Sequence, residues 1–68
     1  MPFVNLKTTK TNLTREAKAQ IVREFSETLV RVLGKKPENI HIVIDAVDDE
    51  NWGHSGALVA HTRKLAED

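Results

Sequence analysis

The chain reads as an α/β protein built from one β-α-β unit, and three observations lead there. A period-two run opens the sequence at Phe3–Thr9, FVNLKTT. A helical stripe with its own start and stop signals follows, over Arg15 to Leu33. A second period-two run, Ile40 to Val47 (IHIVIDAV), completes the unit. The stretch from Lys10 to Asn39 is long enough to carry the chain back for parallel pairing of the two strands.

Each element has its own warrant. In the first strand Val4 and Leu6 make an apolar face, and Phe3 lies on the other side, so both faces are candidates for cover. Lys10 to Leu13 is a polar connection. Thr14 offers a hydroxyl N-cap, and Glu16 sits in the first turn where an acid suits the helix dipole. Ala17, Ile21, Phe25, Leu29 and Val32 then form one stripe, with Val22 and Leu33 beside it. Glu27 and Arg31 have the i,i+4 spacing and order of a helix ion pair. Gly34 predicts a left-handed cap, Lys35 and Lys36 suit the negative helix end, and Pro37 prevents continuation.

Pro37, Glu38 and Asn39 predict a turn. In the second strand Ile40, Ile42, Ile44 and Ala46 form a core face, while His41, Val43, Asp45 and Val47 face a site or a subunit contact. Asp48 to Ser55 (DDENWGHS) reads as a loop, with Asp48, Asp49 and Glu50 as a solvated acidic turn. From Ala57 onward the pattern fits a strand or a helix about equally, with a short hairpin and then a helical tail slightly favoured.

Composition narrows the function. Sixty-eight residues make one domain, spanning 1–68. A chain this short buries little of its surface by itself and gains from disulfides, metal or oligomerisation. It has no cysteine, and its three histidines fit no zinc spacing, so oligomerisation is the expected source of burial and no metal is expected. Ten basic and ten acidic residues give zero formal net charge. That balance argues against nucleic acid or an anionic membrane as partner. No signal-peptide pattern or spanning apolar run is present, which makes a cytoplasmic protein the expectation.

The residue with the most chemical content is Pro2. Aminopeptidase removes Met before a small second residue, which would leave Pro2 with a free secondary amine. An α-amino group titrates near 7.7–8.0 in the absence of neighbours, and an apolar site lowers it further. Such an amine is a ready general base near neutral pH. A retained Met1 would acylate the nitrogen and remove its basicity.

Proline at position two, MPFVNLK at the start, the segment IVREFSETLVRVLGKKPENI, the strand HIVIDAV and the loop DDENWGHSG occur here in order and at fixed spacing. Together they resemble the 4-oxalocrotonate tautomerase family, over about Pro2 to Leu58. The resemblance implies β-α-β protomers that assemble into dimers and then a hexamer, described as a trimer of dimers. It implies no cofactor. It also implies an N-terminal proline that acts first as base and then as acid, moving a proton between atoms of an enol or keto acid. The site is expected to draw on more than one subunit. By position, Pro2 matches the base, and Trp52 stands for the aromatic wall where Phe is usual. The family's two arginines have no counterpart: the loop after the first strand reads TKTNLT, where Lys10 is the nearest cation, and the second-strand position is His41. GHSG stands where GIGG is common, which brings His54 towards the pocket. Lysine and histidine can hold a charge or donate a hydrogen bond, but neither has the planar fork of a guanidinium.

The expected function is therefore a cofactor-independent tautomerase on an unsaturated 2-hydroxy or 2-keto acid. Pro2 would be catalytic, and His41, Trp52, Lys10 and His54 would bind substrate. Two alternatives stand beside it. One is a hydratase- or dehalogenase-like enzyme on the same scaffold, with Asp45 as the candidate carboxylate for activating water. The other is a non-catalytic subunit of a hetero-oligomer.

Overall fold

Strand β1 (Phe3–Thr9) and strand β2 (His41–Val47) pair in parallel and are joined by helix α1 (Arg15–Leu33). This is the β-α-β unit that the hydrophobic periodicity predicts. The computed structural model describes residues 1–61. The register runs from Phe3 opposite His41 to Thr9 opposite Val47. Partners in a parallel ladder point to the same face. Val4, Leu6, Ile42 and Ile44 share one face and are half-buried. Ala17, Ile21 and Leu29 are the matching half-buried positions on α1. These two sets mark where helix covers sheet. Phe3, Asn5, Lys7, His41 and Val43 lie on the open face and are exposed.

The helix ends follow their local chemistry. Thr14 Oγ1 accepts the Ala17 N–H at 3.1 Å, satisfying one of the donors a helix start leaves unpaired. Gly34 takes φ 65°, ψ 25°, and its N–H donates to the Val30 carbonyl at 3.0 Å. A Cβ there would meet nothing within 4 Å, so it is the left-handed backbone and not space that selects glycine. Glu27 and Arg31, both exposed, do not close into an ion pair. Gln20 Nε2 instead donates to Glu24 Oε2 at 2.6 Å one turn earlier.

Two boundaries differ from the periodicity, and the slightly favoured hairpin is present but opens earlier, at Gly53. Ile40 is not part of β2: its N–H donates to the Pro37 carbonyl at 3.2 Å, closing a 3-10 turn over Pro37–Asn39. Asp49–Asn51 form a second 3-10 turn within the expected loop, begun by Asn51 N–H donating to the Asp48 carbonyl at 2.8 Å. The region from Gly53 resolves into a hairpin, β3 (Gly53–His54) antiparallel to β4 (Ala57–Leu58). Ser55 and Gly56 form its two-residue tip with φ of 52° and 79°, the paired positive values that a twisted hairpin favours. Val59 to His61 are helical. The rest of the expected helical tail lies outside the described residues.

Among the described residues none is fully buried. Phe3 is 64% exposed, Val32 62%, Leu33 58% and Val43 42%. A two-stranded sheet under one helix is too narrow to enclose a core. Among the described residues no helix is long and apolar enough to cross a membrane.

Candidate active site

Pro2 immediately precedes β1 and is half-buried. Its carbonyl accepts the His41 N–H at 3.1 Å. His41 opens β2 opposite Phe3, so the parallel ladder begins with the His41 backbone bonded to the Pro2 carbonyl. The His41 side chain points to the same open face as Phe3. Both residues are candidates by sequence, and the fold brings them together at one end of the sheet.

Lys10 lies at the other end. Eight residues of extended chain separate it from Pro2, about 26 Å at strand rise. Its Nζ is 2.6 Å from Asp48 Oδ1, just past the end of β2. The hydrogen bond that Lys10 donates to that carboxylate, with the carboxylate's charge, raises the Lys10 pKa above the ordinary lysine value. Asp48 is thus not simply part of a solvated acidic turn. Trp52 ends the 3-10 turn that follows Asp48 and is half-buried. A 3-10 turn rises only about 2 Å per residue, so Trp52 stays near this same end. Its carbonyl accepts the Val59 N–H at 2.8 Å, which fastens the hairpin below it. His54 lies in β3, exposed, with Nδ1 3.2 Å from Ser55 Oγ. Within one protomer, therefore, Pro2 and His41 lie at one end of β1 and Lys10 lies at the other, while Trp52 and His54 follow Asp48 along the chain.

Between the two ends the open face carries a polar cluster. Asp45 Oδ2 accepts from Lys7 Nζ at 2.8 Å and from Asn5 Nδ2 at 3.0 Å. These bonds, the Lys7 one first, hold the Asp45 carboxyl below its ordinary pKa of 3.8. A carboxylate so engaged is a weaker base than a free one. Neither this cluster nor the Lys10–Asp48 pair is legible before the register is known. The one hint in the sequence is spacing, since Lys7 and Lys10, like Asp45 and Asp48, are three apart.

The family model described as "Tautomerase enzyme" matches residues 2–62. The probable tautomerase K2 of Dickeya dadantii is 41% identical over 66 residues, covering 97% of this chain and 98% of that one. A probable tautomerase of Helicobacter pylori is 39% identical over 66 residues, covering 94% and 97%. The crystal structure of DmpI from Helicobacter pylori superposes with a TM-score of 0.84 at 38% identity, covering 93% of this chain and 97% of that one. A structure from a study of 4-oxalocrotonate tautomerase isozymes of Methylibium petroleiphilum superposes with a TM-score of 0.87 at 23% identity, covering 94% and 98%, a likeness of fold.

Proposed function

The chain belongs to the tautomerase family, and from that premise we propose that it is a cofactor-independent keto–enol tautomerase whose base is the amine of Pro2. The observation that carries this is the position of Pro2: half-buried at the head of β1, with its carbonyl held by His41. Removal of Met1 frees the secondary amine. As a neutral base it takes the hydroxyl proton of an enol, or the proton on the carbon next to a carbonyl. The electron pair moves into the conjugated system, and negative charge builds on oxygen as a dienolate. His41 lies beside Pro2 to donate to that oxygen. The protonated Pro2 amine then returns the proton to a different carbon. Trp52 of a second copy excludes water and so favours the neutral amine.

Pro2 and Lys10 of one chain are too far apart to hold one small substrate, so the proposed site draws on two copies. Among the described residues β1 pairs along one edge only, with β2. Antiparallel pairing of two β1 edges about a two-fold axis would set Pro2 of one copy near Lys10 of the other. The lack of any buried described residue supports such assembly. The proposed form is a homo-oligomer, with a hexamer built as a trimer of dimers.

The hydratase-like alternative needs a carboxylate to activate water. Asp45 is already the acceptor for Lys7 and Asn5, which weakens that case. The test is an intact mass of the protein from its native host, with turnover of phenylenolpyruvate by wild type and Pro2→Ala. A mass lacking Met1, with ketonisation lost in Pro2→Ala, is the expected result. A retained Met1 or an active Pro2→Ala would point to a non-catalytic subunit instead.

A further inference from the structure

Lys7 pairs with Asp45 across the ladder at a sequence offset of 38. Lys10 and Asp48 continue that offset one residue beyond the last ladder pair, Thr9 with Val47. Both cations carried by β1 and its exit thus have a resident carboxylate on β2 or just past it. At the Lys10 end the two side chains are 61% and 51% exposed. An exposed ion pair is weakly held, so Asp48 disfavours an incoming carboxylate by a modest factor and does not exclude it. The loop TKTNLT supplies no guanidinium to take a second anion.

We propose that Asp48 is a specificity-determining residue: its carboxylate occupies Lys10, so the site accepts enol and keto acids with one carboxylate and resists those with two. This rests on the tautomerase reading, with one carboxylate placed near His41 and any second one reaching Lys10 of a neighbouring copy. A second carboxylate has to displace Asp48 and then remain beside it. The displaced Asp48 keeps its charge, and like charges at close range oppose binding. A monoacid makes no such demand and leaves the Lys10–Asp48 pair closed. Asp48 acts through Lys10 and touches no reacting atom.

The experiment compares wild type, Asp48→Asn, Lys10→Met and the double variant. The substrates are phenylenolpyruvate, with one carboxylate, and 2-hydroxymuconate, with two. Asp48→Asn is expected to lower KM for the diacid about fivefold, with kcat and the monoacid KM changed by about twofold or less. Adding Lys10→Met should abolish the gain. A merely structural Asp48 would shift both substrates alike, and that result overturns the proposal.

A second measurement does not depend on turnover. Calorimetric titration of adipate and hexanoate into the Pro2→Ala background, with and without Asp48→Asn, reads the same discrimination. About fivefold tighter adipate binding with unchanged hexanoate binding supports the latch. Equal shifts, or no adipate binding even in Asp48→Asn, overturn it. If Pro2→Ala keeps full turnover while adipate still tightens, the proton-transfer reading fails and the latch stands. If Pro2→Ala is inactive and adipate does not tighten, the latch fails alone.

Discussion

The backbone N–H of His41 donates to the carbonyl of Pro2 at 3.1 Å, so the residue that opens β2 holds the residue that precedes β1. This bond uses the His41 backbone and leaves its imidazole available. The two roles of His41 can therefore be separated. His41→Ala keeps the N–H and should preserve the fold, while lowering kcat/KM about tenfold by removing a donor to the developing oxyanion. His41→Pro removes the N–H and should reduce both folding and activity. Circular dichroism beside kinetics distinguishes them, and equal losses of structure in both variants would refute the assignment.

Pro2→Ala leaves an α-amine but changes a secondary amine into a primary one and frees the backbone at the strand head. Removing a positioned general base costs on the order of 10²–10⁴-fold in rate. Turnover should fall by at least about 10²-fold with the oligomer intact by sedimentation. A wild-type rate profile that rises with pH through the proline pKa should vanish in the variant.

Stability should depend on protein concentration. No described side chain is fully buried, and Phe3 and Val43 stand exposed on the open sheet face. If a second copy covers that face, mass action links folding to assembly. Dilution should lower the Tm, and Phe3→Asp should lower it further and shift the sedimenting species to smaller size. A Tm constant over a hundredfold range of dilution (roughly the span over which mass action contributes some kcal/mol) would argue for an independently stable protomer.

Asp45 makes a pH prediction with a definite sign. Its folded pKa lies below the ordinary 3.8, chiefly through the Lys7 hydrogen bond and then Asn5. A carboxyl depressed on folding binds fewer protons in the native state than in the unfolded one. Its contribution is complete above the unfolded pKa, about 3.9, and is lost as pH falls through the lower folded value. Asp45→Asn should remove that part of the acid limb while leaving the neutral-pH fold unchanged. Denaturant midpoints between pH 2 and 6 (roughly the window bracketing carboxyl titration) would show it, and identical acid limbs for both proteins would count against the cluster.

The helix caps give local tests. Thr14→Ala removes the hydroxyl that accepts Ala17 N–H and should cost about 1 kcal/mol. Gly34→Ala forces a side chain into φ 65° and should cost about 1 kcal/mol or more. Urea midpoints at fixed protein concentration read both.

The sequence by itself determined the strand, helix, strand order, the caps of α1 at Thr14 and Gly34, and the position of Pro2 ahead of the first strand. Those features rest on interactions within a few residues: side-chain alternation, a hydroxyl three residues from its donor, and a left-handed glycine. Ile40 shows the limit, since its apolar side chain fits the strand period while its N–H is taken by Pro37 in a 3-10 turn. What tertiary structure alone decided is which distant residues share an end of the sheet. Parallel register put His41 beside Pro2, set Asp45 opposite Lys7, and carried Asp48 to Lys10. In a parallel pair, residues far apart in sequence meet only through the offset between strands, and no local pattern encodes that offset. The same register separates Pro2 from Lys10 by the length of β1, because both strands run in one direction and their beginnings and ends cannot meet within a single copy.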